Sequence, residues 1–344
     1  MSMAAAPPRM VRRVTMTLPD IGEIRAAAAT VHQAVDPTPQ ICWPLVSERT
    51  GAEVWIKHEN QTPLGAFKIR GGLVYMDQLR RTEPEVRGVI AATRGNHGQS
   101  VAFAAVRAGL RAVIVVPHGN SRTKNAAMRR LGAELIEHGE DFQEAFEFAA
   151  RMAEAERLHF VRSFNRGLVL GAATYALELF ESVAGLDAVY VPIGMGSGIC
   201  GTISARTALG LETEVIGVVA EGAQAYGLSF AAGRPVSTER AESVADGMAC
   251  RVPDADAVRI ILEGASRMVT VNDGEIRAAM RFLFADTGNV AEGSGAAPLA
   301  ALLQESPRMQ GRRVALILSG GNVDSEIFDP IVAGLRANAP ADGA

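Results

Sequence analysis

The run GVIAATRGNHGQSVAFAAVRAGLRAVIVVP (88–117) decides the fold class. GVIAAT is a short apolar run with the character of a strand, and RAVIVVP is a second one. Between them HGQSVAFAAVRAGL brings Val101, Ala104, Ala105 and Ala108 back to one helical face, small enough to pack closely on a sheet. Strand, helix and strand in immediate succession make a βα unit. Strands that are continuously apolar rather than alternating belong to a parallel sheet buried on both faces.

The pattern continues outward from this unit. SRTKNAAMRRLGA reads as a helix, ELIEHG as a strand and DFQEAFEFAARMAEAERL as a helix. A second series follows, with LVLGAATYALELFESV and ICGTISARTAL helical and DAVYVPI and EVIGVVAE extended, and RVALILS (313–319) is a buried-type strand that stops at SGGN. The expected architecture is α/β, with two doubly wound open sheets side by side and a site between them. The stretch from Gly233 to Arg251 is the longest irregular insertion and reads as a surface loop or lid.

Composition bounds the function. A chain of 344 residues, 48% hydrophobic and 21% charged, is globular and long enough for two domains sharing a cleft. The net charge of −4 is spread along the chain with no basic run, which argues against nucleic acid as a partner. No apolar run approaches the ~18 residues of a membrane span, and MSMAAAPPRMVRRVT lacks the charged-then-apolar order of a secretory leader, so residues 1–20 read as a flexible arm. Cys42, Cys200 and Cys250 are far apart and have no metal-ligand spacing, which fits reduced thiols and a cytoplasmic enzyme.

Four short stretches lie where ligands bind in open α/β sheets, at or beyond strand ends. In ENQTPLGAFKIRGG, Lys68 sits in an apolar setting that disfavours its ammonium form and makes a nucleophilic amine accessible. In AATRGNHGQS, a turn through Gly95 starts a helix whose N–H groups suit an anion, with the Asn96 amide beside them; a plain helix cap at Asn96 is the alternative. In VYVPIGMGSGICG, the glycines let main-chain N–H groups approach a phosphate. GSGICG also matches the dinucleotide fingerprint, and Glu221 at the end of the next strand stands where that motif places its acid, so a nicotinamide-dependent oxidoreductase is a rival reading. In ALILSGGNVD, Ser319 points from a strand end into the cleft.

Taken together, AFK (66–68), GNHGQ (95–99), the Gly194–Gly201 loop and SGGN (319–322) resemble the fold type II pyridoxal-phosphate enzymes over about residues 30 to 330. The His after GN, ADG (245–247) and AEGSGAA near Glu292 are similar to the threonine/serine dehydratase and serine racemase branch. The resemblance implies a lyase that converts a β-hydroxy amino acid to a 2-oxo acid and ammonia, with pyridoxal 5'-phosphate as a Schiff base on Lys68. It implies Phe67 beside the ring, Asn96 at the ring hydroxyl, Gly194, Met195, Gly196, Ser197 and Gly198 at the phosphate, and Ser319 at the pyridine nitrogen. Substrate would be met by Thr93, Arg94, Gly95, Asn96 and His97. It further implies a large domain (21–87 with 166–344), a small mobile domain (88–165) and a homodimer or homotetramer.

Two departures bear on chemistry. Thr93 and Arg94 stand where relatives carry small hydroxyl residues. Arg94 is a poor proton shuttle, which disfavours racemisation; it suits a second acidic or acyl group, as in hydroxyaspartate or a hydroxyectoine-derived amino acid. Glu221 and Ala225 match part of a family cation site, but Gly227 stands where its aspartate belongs, so a monovalent or divalent cation is a weak expectation.

Overall fold

The computed structural model describes residues 16–337. Its strands are β1 (Gln40–Cys42), β2 (Glu53–His58), β3 (Gly88–Ala92), β4 (Arg111–Val116), β5 (Glu134–Glu137), β6 (His159–Phe160), β7 (Ala188–Pro192), β8 (Glu214–Ala220), β9 (Arg267–Val271) and β10 (Arg313–Leu318). They form a six-stranded sheet in the order β1-β2-β10-β7-β8-β9 and a four-stranded sheet in the order β5-β4-β3-β6. Every pairing is parallel except β1 with β2. The run that decided the fold class is the centre of the smaller sheet, with Gly88 opposite Arg111 and Ala92 opposite Val115. The α/β class with two open sheets is therefore what the chain adopts.

The last strand in sequence is central in space. β10 lies between β2 and β7, pairing Leu318 with His58 on one side and Val314 with Ala188 on the other. Three chain segments that are far apart in sequence thus end side by side, and each runs on into one of the motifs read above.

Helix Arg166–Ser182 is buried from Gly167 through Phe180 and packs against helices Lys68–Thr82 and Ser197–Ala208. Its approach to the first of these needs glycine, because a Cβ on Gly171 would lie 2.5 Å from the Arg70 carbonyl oxygen. Under this contact lies a cluster of buried charges. Arg70, with 0% exposure, donates from Nε to Glu59 Oε2 (2.7 Å) and from Nη1 to Glu178 Oε1 (2.6 Å). Lys57 Nζ donates to Glu178 Oε2 (2.6 Å) and the Thr38 carbonyl (2.7 Å), and Thr38 Oγ1 donates to Glu59 Oε1 (2.6 Å). Burial alone would raise the Glu178 carboxyl, but Arg70 and then Lys57 outweigh it and hold the group at about 2.

Two expectations need correction. The insertion from Gly233 to Arg251 is not wholly a surface loop. Its first half is largely exposed, but Ala245 and Met248 are buried and the second half forms a wall of the cleft, because an irregular segment can pack once turns such as Met248 N–H to Ala245 O satisfy its main chain. The expected arm over residues 1–20 falls, through residue 15, outside the described residues. Beyond it, Met16 N–H donates to Asp256 Oδ1 (3.2 Å) and Asp20 caps helix Ile21–Val31 in a capping box, so this part is held to the protein.

Removing one side of the buried cluster leaves carboxylates without a counter-ion. Arg70→Met is expected to lower the unfolding free energy by about 3–5 kcal/mol, read as a lower urea midpoint at unchanged slope. A midpoint indistinguishable from that of the parent would show that the cluster contributes nothing to holding this helix in place.

Candidate active site

Lys68 is the first residue of helix Lys68–Thr82, and the loop that delivers it is laced to the end of β10. Phe67 N–H donates to the Ser319 carbonyl (3.0 Å), and Ala66 bridges Gly320. The amine reaches across the cleft, with Nζ 3.0 Å from Ser197 Oγ and 4.7 Å from the centre of the Phe67 ring. Burial pulls the Lys68 ammonium down to about 8, against an opposing pull from the Glu292 carboxylate. This shift favours the neutral amine that a nucleophilic role requires.

β3 delivers the second motif. Thr93 Oγ1 accepts from Gly95 N–H (2.9 Å) and Gly98 N–H (3.1 Å), so this hydroxyl builds the turn. The cap of helix Asn96–Arg107 is Gly95, and Asn96 is not the cap that the plain structural reading expected. The Asn96 amide donates from Nδ2 to Glu292 Oε1 (2.7 Å) and accepts at Oδ1 from Asn322 Nδ2 (2.9 Å). His97 is buried beside them, and among the described residues neither ring nitrogen has a hydrogen-bond partner; burial, reinforced by the Lys68 charge, pulls it down to about 3, so it is neutral.

β7 delivers the glycine loop. Gly196 has a φ of 97°, a left-handed conformation that favours glycine, and it caps helix Ser197–Ala208. The first N–H groups of that helix have no carbonyl partner within it and carry its positive end. Gly194 meets a constraint that its place in the loop did not announce. A Cβ there would lie 2.1 Å from the Gly247 carbonyl oxygen, so the glycine admits the wall at 245–249 rather than only a ligand. The Met195 sulfur lies 3.5 Å from Cys250 Sγ.

These residues line one cleft together with Ser319, which is buried at the end of β10. Arg94 stands exposed at its mouth with no side-chain partner among the described residues. Glu221 is exposed, the Ala225 carbonyl accepts from Ser229 Oγ (2.6 Å), and neither lines the cleft. Among the described residues, no cluster of three or more His, Cys, Asp or Glu is placed to hold a metal ion.

Glu292 was missed as a site residue, although AEGSGAA drew notice. It is 3% exposed, its Oε2 has no hydrogen-bond partner among the described residues, and Lys124 Nζ, which donates to Asp246 Oδ2 at 2.6 Å, stands 3.8 Å from that oxygen. Burial pushes the Glu292 carboxyl up to about 7 despite the pull of Lys124. The signal available in the sequence was a lone acid heading an otherwise small and apolar helix.

The donor set fits pyridoxal phosphate. A partly neutral amine can meet an aldehyde, a helix start on a glycine loop can take a phosphate, and the unpartnered groups of His97 and Ser294 face the same cleft.

A family model described as pyridoxal-phosphate-dependent enzyme matches residues 31–320. An L-threonine ammonia-lyase from Thermotoga maritima is 37% identical over 92% of this chain and 78% of its own. The L-threo-3-hydroxyaspartate ammonia-lyase of Saccharomyces cerevisiae is 29% identical over 93% of this chain and 98% of its own. The chain spans 60% and 58% of two biosynthetic L-threonine dehydratases that it also matches. The solved structure of the processed form of threonine deaminase isoform 2 from Solanum lycopersicum superposes with a TM-score of 0.84 at 27% identity, over 93% of this chain and 96% of that one.

The Glu292 carboxylate holds the Lys68 ammonium up, so its neutralisation moves the amine further down. In Glu292→Gln, trapping of Lys68 by a small aldehyde and borohydride, followed by peptide mapping, is expected to reach its half-maximal rate at lower pH than in the parent. An unchanged or higher midpoint would break this electrostatic link.

Proposed function

Since the chain belongs to the pyridoxal-phosphate-dependent enzymes, we propose that it is a dehydratase, an ammonia-lyase that converts a threonine- or serine-like β-hydroxy amino acid to a 2-oxo acid and ammonia. The observation that carries this reading is the Lys68 amine, drawn down to about 8 and 3.0 Å from a hydroxyl of the glycine loop, with Ser319 in the same cleft. The oxidoreductase reading leaves that amine without a role.

When bound, pyridoxal phosphate supplies an aldehyde for an amine and a ring that accepts electrons. Lys68 would hold it, with Phe67 beside it. The main chain at Gly194, Met195, Gly196, Ser197 and Gly198 would take the phosphate at the positive end of helix Ser197–Ala208. Asn96, oriented by Glu292 and Asn322, would serve the ring oxygen, and Ser319 the ring nitrogen. A hydroxyl there stays neutral, so it does not lock a proton on the ring as a carboxylate would, which favours departure of a β-substituent over prolonged storage of charge.

In the turn from Thr93 to His97 the N–H groups of Arg94, Asn96 and His97 would meet the substrate carboxylate, since those of Thr93 and Gly95 are taken by the Val115 carbonyl and by Thr93 Oγ1. The freed Lys68 amine takes the proton from the substrate's α-carbon. Neutral His97 adds bulk without a competing charge. A guanidinium such as that of Arg94 is a poor proton shuttle, which favours elimination over racemisation.

Residues 88–165 are taken as a small domain moving against 21–87 with 166–344. The division is supported by sheet membership, since β3 to β6 form one sheet and the remaining strands the other. A cytoplasmic homodimer or homotetramer belongs to the same proposal.

Lys68→Ala protein is expected to lack the visible absorbance band of the bound cofactor and to release no 2-oxo acid from L-threonine or L-serine, while keeping the parent's circular dichroism. Retention of both band and turnover would sink the proposal.

A further inference from the structure

The cleft around Lys68 is small, about 120 Å³, and it opens into a second cavity of about 570 Å³. The walls common to both are Arg94, Phe142, Ser163, Met195 and Ala249, so the neck carries a single charge, and it is positive. A methyl or hydrogen substituent, as in threonine or serine, makes no use of the larger space. A side chain that passed the neck would meet the Phe142 ring and the Met195 thioether along its length.

Beyond the neck stands Arg162. β3 and β6 are parallel neighbours, with Ile90 opposite Phe160, and Arg94 and Arg162 follow their carboxyl ends, where open α/β sheets bind ligands. Both are exposed, and neither guanidinium has a hydrogen bond or ion pair among the described residues. The other charges of the cavity are differently placed. Arg251 Nη1 is paired with Asp141 Oδ2 (3.0 Å), Asp254 Oδ1 accepts from Asp256 N–H (2.9 Å), and Glu239, Arg240 and Glu242 lie on the exposed half of the 233–251 segment.

We propose that the second cavity is a substrate subsite for a terminal carboxylate, so that the enzyme acts on 2-amino-3-hydroxydicarboxylates whose second carboxylate is carried past the β-carbon on one or more methylenes. The guanidiniums of Arg94 and Arg162 receive the carboxylate in charge-assisted hydrogen bonds, and Phe142, Met195 and Ala249 of the neck receive the methylenes. The proposal rests on the dehydratase reading and deepens it. The reaction balances as before: the α-proton and β-hydroxyl leave as water, one water is regained on hydrolysis, and the products are a 2-oxodicarboxylate and ammonia.

The test compares kcat/KM for L-threonine, 3-hydroxyaspartate, 3-hydroxyglutamate and 2-amino-3-hydroxyadipate in the holoenzyme and in Arg94→Ala, Arg162→Ala and the double variant. At least one of the two longer dicarboxylates is expected to exceed threonine. The ratio of its kcat/KM to that of threonine is expected to fall about tenfold or more in each single variant, chiefly through KM.

A readout independent of turnover uses L-glutamate, L-2-aminoadipate and L-2-aminobutyrate, which have no β-hydroxyl to lose. Their apparent Kd from the change in the cofactor's absorbance should favour one of the two acidic compounds in the parent, and the preference should vanish in the double variant. Threonine outperforming every dicarboxylate, or variants that leave both ratios unchanged, would overturn the subsite while leaving the dehydratase intact. Failure of every compound, threonine included, to yield a 2-oxo acid would instead remove the dehydratase reading and the subsite with it.

Discussion

Arg70 and the two carboxylates that grip it fix the position on which the site depends. The residue lies two positions after Lys68 in the same helix, and its guanidinium is held by Glu59 from the segment after β2 and by Glu178 from helix Arg166–Ser182. Buried ion clusters of this kind are not a reliable source of net stability, because desolvation offsets much of the attraction. Their geometric demand is stricter. A fork of fixed N–H directions satisfied on both sides leaves the helix little freedom to rotate or slide. The Lys68 amine is thereby aimed at the glycine loop by charges that make no contact with the cleft.

Two electrostatic layers result, and their separation has a chemical logic. Glu178 is held at about 2 by its cations, so this carboxylate of the lower layer stays ionised near neutral pH. In the upper layer Lys68 is drawn down to about 8 and Glu292 pushed up to about 7, in both cases first by burial. The upper groups are thus shifted toward neutrality above a carboxylate that stays ionised there. Lys124 joins the upper layer from the smaller sheet's side, bonding Asp246 and standing near Glu292, so the charge of the site depends on how the two sheets' segments meet.

Much of this was legible in the residues, and the illegible parts share a cause. The parallel strands 88–92, 111–116, 188–192 and 313–318 announce themselves as apolar runs, and the four motifs follow three of those strands and β2. β2 itself, EVWIKH, was not singled out, because Lys57 and His58 look like surface residues until Glu178, 121 residues away, is seen to neutralise the lysine. Glu292 was hidden in the same way, since its burial is produced by helix packing and by the wall at 245–249 rather than by its neighbours in sequence. Gly194 was read as a phosphate-loop glycine; its strictest constraint, the Gly247 carbonyl, is a tertiary contact that no local pattern reports. The roles of Arg94 and Arg162 likewise emerge only when β3 and β6 are known to be neighbours.

The contact at Gly194 also explains why an irregular glycine loop suffices here. A main chain that must present N–H groups to an anion has to be held from behind, or it will relax toward internal hydrogen bonds. The wall at Ala245–Ala249 supplies that backing by pressing the Gly247 carbonyl against Gly194, and the Met195 side chain, turned to Cys250, packs into the same wall. Because Asp246 in that wall is the residue bonded to Lys124, the loop that would hold the phosphate and the ion pair beside Glu292 are parts of one packed unit. A displacement of the smaller sheet's helix Arg122–Arg130, which carries Lys124, would therefore alter the backing of the glycine loop and the ionisation beside Asn96 at the same time.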